Sequence, residues 1–187
     1  MTQLATTVPG LVAGVWSIDP IHSDVSFTVR HMMISKVRGS FRTFSGTITV
    51  ADDLLGSSVE ADIDLNSIDT NQTERDNHIR SKDFFDVENH PTMTFRSTGL
   101  KADGDDWIVS GDLSLHGVTK QVDLALEFNG AGPDAYGGTR SGFTAKTRIN
   151  RNDFGVDIKL PMDGGGVVVG EKIDIALEIE AVLQTAE

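Results

Sequence analysis

The side chains best suited to chemistry in this chain are its histidines and the cations near them. Histidine titrates close to neutral pH, so it can move a proton or ligate a metal. His31 falls in phase with Val25, Phe27 and Val29 in an alternating run, which turns it inward with them. There it is either a paired core histidine or one that meets the polar head of a ligand. Arg75 and His78 stand three residues apart in Arg75-Asp-Asn-His-Ile79, the spacing of one helix face. An arginine so placed can fork onto a carboxylate or phosphate, or anchor its helix to a strand-borne aspartate. The anchor is the preferred reading. If the protein were an enzyme, Arg75, His78 and His31 would be its acid–base or head-group residues. His22 and Ser23 belong to a strand start, and His116-Gly117 and the Arg151/Asp153 pair read as turn architecture.

Other constellations are missing. There is no His-Glu-x-x-His and no close histidine pair on a helix, so a metal would need folding to gather His22, His31 and His78. No metal and no catalytic residue is therefore expected. No Gly-x-Ser-x-Gly elbow occurs. Gly164-Gly-Gly166 follows Met162-Asp163 and opens no helix, so it is not a phosphate loop. Cysteine is absent, which removes disulfide and thiolate chemistry. With 16 Lys and Arg against 28 Asp and Glu, the formal net charge is −12. Such a surface repels phosphate backbones and anionic headgroups, arguing against nucleic acid and against stable membrane docking. No stretch approaches the roughly 20 apolar residues of a membrane span, and no signal-like segment opens the chain. The expected location is cytoplasmic.

The elements that must position these residues are strands. Period-2 alternation recurs at 23–31, 59–65, 107–115, 122–128, 143–149 and 173–179, with shorter strands at 46–50 and 92–97. One apolar and one charged face is the pattern of antiparallel strands with a solvated outer side. Turn signals lie at 51–56, 102–106, 130–138 and 163–166. The exception is 71–86, which lacks alternation. Asn71 as N-cap with Glu74 three residues on predicts a helix over about 72–81, and Ser81 then caps a short turn through Phe84 and Phe85. About eight strands must hide their edges, and a closed barrel does so. The fold class is mainly β: a closed antiparallel barrel of about eight strands with one helical insert near 71–86. Residues 1–14 are expected to be a flexible tail, and 15–187 a single barrel domain.

Several local motifs go beyond generic β sequence: Trp16-Ser-Ile-Asp-Pro-Ile-His-Ser23, Ser67-Ile-Asp-Thr70, Arg75-Asp-Asn-His-Ile79, Asp83-Phe-Phe-Asp86, Pro91-Thr-Met-Thr-Phe95, Gly111-Asp-Leu-Ser-Leu-His-Gly-Val-Thr-Lys120 and Ile149-Asn-Arg-Asn-Asp-Phe-Gly155. In this order, from about Trp16 to Val182, the chain resembles the YceI-like family. One departure is His90, which stands before Pro91 where an aromatic is expected. The resemblance implies a lipocalin-like barrel whose lumen takes the tail of a polyisoprenoid or similar amphiphile, a quinone or fatty acyl compound included. On that reading the lumen is lined by Phe27, Val29, Phe41, Phe84, Phe85 and Phe95, with Leu113, Leu115 and Phe143, and its mouth by His31, Arg75 and His78. The expected function is binding, sequestration or transport of such a ligand, with no other cofactor. Two alternatives stand beside it: an enzyme acting on an isoprenoid or acyl lipid, and a stress-related interaction protein with a filled barrel. A second copy of the chain is the one macromolecular partner considered.

Overall fold

The computed structural model describes residues 6–160, 163 and 168–186. Eleven strands form one sheet: β1 (Gly14–Ile18), β2 (Asp24–His31), β3 (Ser35–Phe41), β4 (Phe44–Val50), β5 (Ser58–Asp64), β6 (Ile68–Asp69), β7 (Thr92–Asp103), β8 (Asp106–Leu115), β9 (Val118–Pro133), β10 (Thr139–Asn150) and β11 (Val169–Leu183). The order β1-β4-β5-β7-β8-β9-β10-β11 returns to β1, which closes an eight-stranded antiparallel barrel. β2, β3 and β6 extend that ring toward one end. β1 and β2 run the same way along β11, broken by the Asp19–Ser23 turn around Pro20. β3 and β4 form the matching broken strand beside them.

Between β6 and β7 the chain leaves the sheet and forms α1 (Thr73–Arg80) and the turns that follow it. The helix starts differently from the sequence expectation. Asn71 adopts left-handed backbone, φ 62°, and the cap is Gln72, whose side chain accepts from the Arg75 amide. The cause is local: Asp69 Oδ1 accepts the Asn71 amide at 2.8 Å, an Asx turn that bends the chain off β6 before a helix can begin. Ser81 closes the helix, and its carbonyl accepts the Phe84 amide at 3.1 Å.

β9 also differs, since it continues through Gly130 to Pro133 and leaves a turn only over 134–138. Asp134 holds that turn by accepting the amides of Tyr136 and Gly138, both at 2.8 Å. The turn read at 163–166 lies, apart from Asp163, outside the described residues. At the other end of the chain, residues 6–13 lie against the barrel: Val8 and Leu11 pack on the cluster of Trp16, Val50, Leu54 and Ala181, and the Leu54 amide donates to the Thr6 carbonyl at 2.9 Å. Residues 1–5 are outside the described set. Among the described residues no helix is long and apolar enough to cross a membrane.

The inward faces of the strands build the core. One cluster gathers Val25, Phe41, Ile63, Met93, Phe95 and Leu113 with their neighbours across the barrel's middle and helix end. Two of its rings sit over glycines. A Cβ at Gly39 would stand 2.4 Å from Cζ of Phe27, and one at Gly111 2.4 Å from Cζ of Phe95. In each case the missing side chain is what lets the ring occupy the lumen wall.

Candidate functional site

The lumen contains two cavities that share no lining residue. The first, about 170 Å³, lies at the end where β1 meets β11 (the seam end). Its wall is hydrocarbon and aromatic, from Ile18, Leu100, Trp107, Phe128 and Phe143, with Val8 and Leu11 across it. Its polar lining consists of four serines, 45, 57, 58 and 97, and no charged residue is present. The second, about 240 Å³, lies at the helix end, between β2, β3, β11 and α1. Phe27, Val29, Phe41, Phe84, Phe85 and Leu115 line it.

What separates the cavities is a waist. Phe95 and Leu113 line neither cavity, are 7% and 6% exposed, and sit side by side as cross-strand partners on β7 and β8, between Met93 and Leu115 of one cavity and Ser97 and Val109 of the other. Of the twelve residues read as ligand-binding, nine therefore surround one cavity, Phe143 lines the other, and Phe95 with Leu113 forms the partition. The nine are the six just named together with His31, Arg75 and His78.

The helix-end cavity also collects basic side chains. Arg30, His31, Arg75, His78 and Arg151 line it, and among the described residues no carboxylate does. Arg75 is an anchor, though not to an aspartate. Its Nε donates to Thr70 Oγ1 and its Nη2 to the Thr70 carbonyl, each at 2.7 Å. The same hydroxyl donates to buried Asp76 at 2.5 Å, and Asp76 also accepts the Thr70 amide at 2.9 Å. Thr70 thus joins two helix residues that point apart and fixes α1 against the end of β6. His78 pairs with Asp83 at 2.8 Å and meets the Phe84 ring edge-on at 5.0 Å.

Arg151, read from the sequence as turn architecture alone, also lines the cavity. It opens a 3₁₀ turn, Arg151–Phe154, capped by Asn150 Oδ1 on the Asn152 amide and ended by left-handed Gly155. That turn folds its side chain inward, where it is 6% exposed. The guanidinium donates to three backbone carbonyls, of Val156, Val169 and Gly170, at 2.6, 3.2 and 3.0 Å. It has no carboxylate partner among the described residues. Burial lowers its pKa from the ordinary arginine value, against the weaker pull of Glu171 and Asp157. The available signal was an arginine beside an inward-facing Ile149 at a strand end.

The third histidine, His22, lies apart at the β1–β2 turn, where Asp19 accepts from it at 2.8 Å. Asp19 also takes Arg140 at 2.7 Å, and Arg140 reaches Asp134 and Glu180 as well. Hydrogen bonds from His22 and Arg140 hold the Asp19 carboxyl far below the usual carboxylate range. Asp19, His22 and Glu180 are close enough to share a metal ion, but Arg140 already pairs with both acids.

The YceI-like domain model matches residues 16–181. The chain belongs to the YceI-like family. It is 38% identical over 164 residues to Protein YceI of Escherichia coli O6:H1, a match covering 87% of this chain and 83% of that protein. Among solved structures, the YCEI protein of Campylobacter jejuni superposes with a TM-score of 0.70 at 27% identity, covering 83% of this chain and 90% of that one. A polyisoprenoid binding domain from Saccharophagus degradans, implicated in plant cell wall breakdown, gives a TM-score of 0.70 over 90% of this chain and 98% of its own. At 19% identity the latter shares the fold alone with this YceI-like barrel.

Proposed function

We propose that this YceI-like barrel binds a single-chain amphiphile with an anionic head, without turning it over. The tail lies in the lumen and the head at the helix end. The observation that carries the reading is the polarity of the two cavities. Among the described residues, five basic side chains and no carboxylate line the helix-end cavity of a chain whose net charge is −12, and no charged residue lines the seam-end cavity. A buried guanidinium satisfied only by carbonyls keeps its charge uncompensated, and an anion relieves that cost. The polyisoprenoid-binding name of the Saccharophagus degradans relative supports an isoprenoid tail.

The volumes constrain how the tail is held. Cavities of 170 and 240 Å³ are each of the order of the ~150 Å³ apolar cavity that admits one benzene ring. Neither alone takes a long prenyl or acyl chain, so a tail longer than one cavity must displace the side chains of Phe95 and Leu113 at the waist. Prenyl phosphates and fatty acids fit the cations, whereas a quinone's neutral head gains little from them. The test compares farnesyl phosphate with farnesol, and a fatty acid with its alcohol, by calorimetry at fixed salt. The acidic member of each pair should bind ten- to a hundredfold more tightly. Equal affinities within each pair would remove the head-group assignment, and no binding of any member would remove the lipid reading altogether.

A further inference from the structure

The loop after α1 and the β8–β9 turn bring together three side chains that the lumen does not use. We propose that Asp86, His90 and His116 form a binding site for a divalent transition-metal ion. One ligand atom from each lies within 4.8 Å of the other two, and all three residues are half-buried. Coordination at about 2.1 Å puts ligand atoms about 3.4 Å apart around a tetrahedral ion. Side-chain rotations of about an ångström therefore close the three onto one metal.

Each ligand is held by its surroundings. His116 Nδ1 lies 3.1 Å from the Phe154 carbonyl, which can only accept, so the proton sits on Nδ1 and Nε2 keeps its lone pair. Asn89 Nδ2 donates to both Asp86 oxygens, at 3.1 and 2.9 Å, and steadies the carboxylate. The His90 amide donates to the Asp86 carbonyl at 2.8 Å, which sets those two residues in one tight turn. The imidazoles of His90 and His116 meet at 67° with centroids 5.0 Å apart. A Cβ at Gly117 would stand 2.9 Å from Cε1 of His90, so glycine leaves room for that ring.

Both turns also carry left-handed backbone at non-glycine residues, Asp86 at φ 48° and His116 at φ 54°. Two imidazoles and a carboxylate, with no thiolate, suit Zn²⁺, Co²⁺, Ni²⁺ or Cu²⁺ and leave a coordination position open. Asp86 and His90 belong to the insert that covers the helix end and His116 to the barrel, so a bound ion bolts one to the other.

The test uses the whole protein, stripped with EDTA and titrated with Zn²⁺ by calorimetry and with Co²⁺ by visible absorption. One ion per chain is expected, with tetrahedral-type Co²⁺ bands and a higher melting temperature in Zn²⁺. His90→Phe keeps a ring of similar bulk without a ligand atom, and His116→Asn keeps a residue that tolerates left-handed backbone. Each should weaken binding at least a hundredfold and abolish the metal-dependent rise in melting temperature. His22→Gln, which removes the imidazole of the Asp19/Glu180 cluster, should leave binding unchanged. Absence of saturable binding in the parent protein, or loss on His22→Gln with retention in His90→Phe, would overturn the assignment.

Discussion

Replacing Phe95 with Ala should convert a partitioned lumen into a continuous one. Phe95 is 7% exposed and lines neither cavity. Its removal frees about 100 Å³, so cavities of 170 and 240 Å³ merge into one of about 500 Å³. The cost in stability is about 3–5 kcal/mol, the range for a buried Phe→Ala change. The gain lies in ligand length. Each further isoprene unit buries five carbons, about 4 kcal/mol at ~0.8 kcal/mol per methylene. Ordering the flexible tail cancels about half of that. About 2 kcal/mol per unit remains, a factor of about thirty in affinity. The assay is a series of prenyl phosphates of two to five units, followed by the fluorescence of Trp107 in the seam-end wall. In the parent protein affinity should level off once the tail reaches the waist. In Phe95→Ala it should keep rising for at least one unit more. Identical chain-length profiles in the two proteins would refute the partition, as would a parent profile that climbs without a break.

Arg75→Lys keeps the charge but loses the fork that grips Thr70 through two 2.7 Å bonds. Stability should fall by about 1–2 kcal/mol in urea titrations, with binding of acidic and neutral tails weakened alike. Ser141 is 2% exposed and its hydroxyl has no partner among the described residues. Ser141→Ala should therefore be neutral or stabilise by up to about 1 kcal/mol in the same titrations. Asp19, Asp134 and Asp174 have carboxyls held below the usual range by hydrogen bonds, Arg140 contributing to the first two. A folded-state pKa below the unfolded one gives stability that is present above about pH 4 and lost as pH falls toward the lowered pKa. Arg140→Met removes the Arg140 share at Asp19 and Asp134, while His22, the Gly138 and Tyr136 amides and Arg148 keep theirs, so the stability gap between parent and variant should be widest at pH 7 and narrow steadily toward pH 2. A gap independent of pH would detach Arg140 from these carboxylates.

The strands were legible because one side of each meets water and the other does not. Val122, Leu124 and Leu126 alternate with Asp123 and Ala125 and pair with β8 in the register that alternation demands. β3 was harder to read, since Gly39 interrupts its inward row of Val37 and Phe41, and the ring that fills the gap, Phe27, lies on β2. β1 was too short to show a period. Helix content was legible from composition, but the cap was not: Asn71 carries the preferred cap chemistry, yet Asp69 claims its amide and the cap falls to Gln72. The candidate site was half legible. Inward parity identifies lumen residues but not depth, so Phe95 and Leu113 look the same in sequence as Phe27 and Leu115, although one pair blocks the lumen and the other lines it. The cationic end depends on Arg151, whose direction is set by a 3₁₀ turn, and on residues more than a hundred positions apart. No alternation rule reports such a meeting. His90 and His116 come together for the same reason.

β11 has a consequence for how the chain is made. Its fifteen residues pair with β10 on one side and with β2 and then β1 on the other. The three pairs from Trp16↔Leu183 to Ile18↔Ala181 are the seam of the barrel. During vectorial synthesis β1 to β10 emerge first, and the facing edges of β10, β2 and β1 then have no partner. At about 5–20 residues per second, the stretch from Asn150 to Leu183 takes the ribosome about two to seven seconds. For that interval the nascent chain is an open sheet with an apolar face and two unsatisfied edges, the form most prone to pair with another copy. A molecule stalled or cut just before β11 is therefore not a barrel missing one stave. It is a persistent version of that open intermediate, and a quality-control system that holds nascent chains would meet this protein chiefly there.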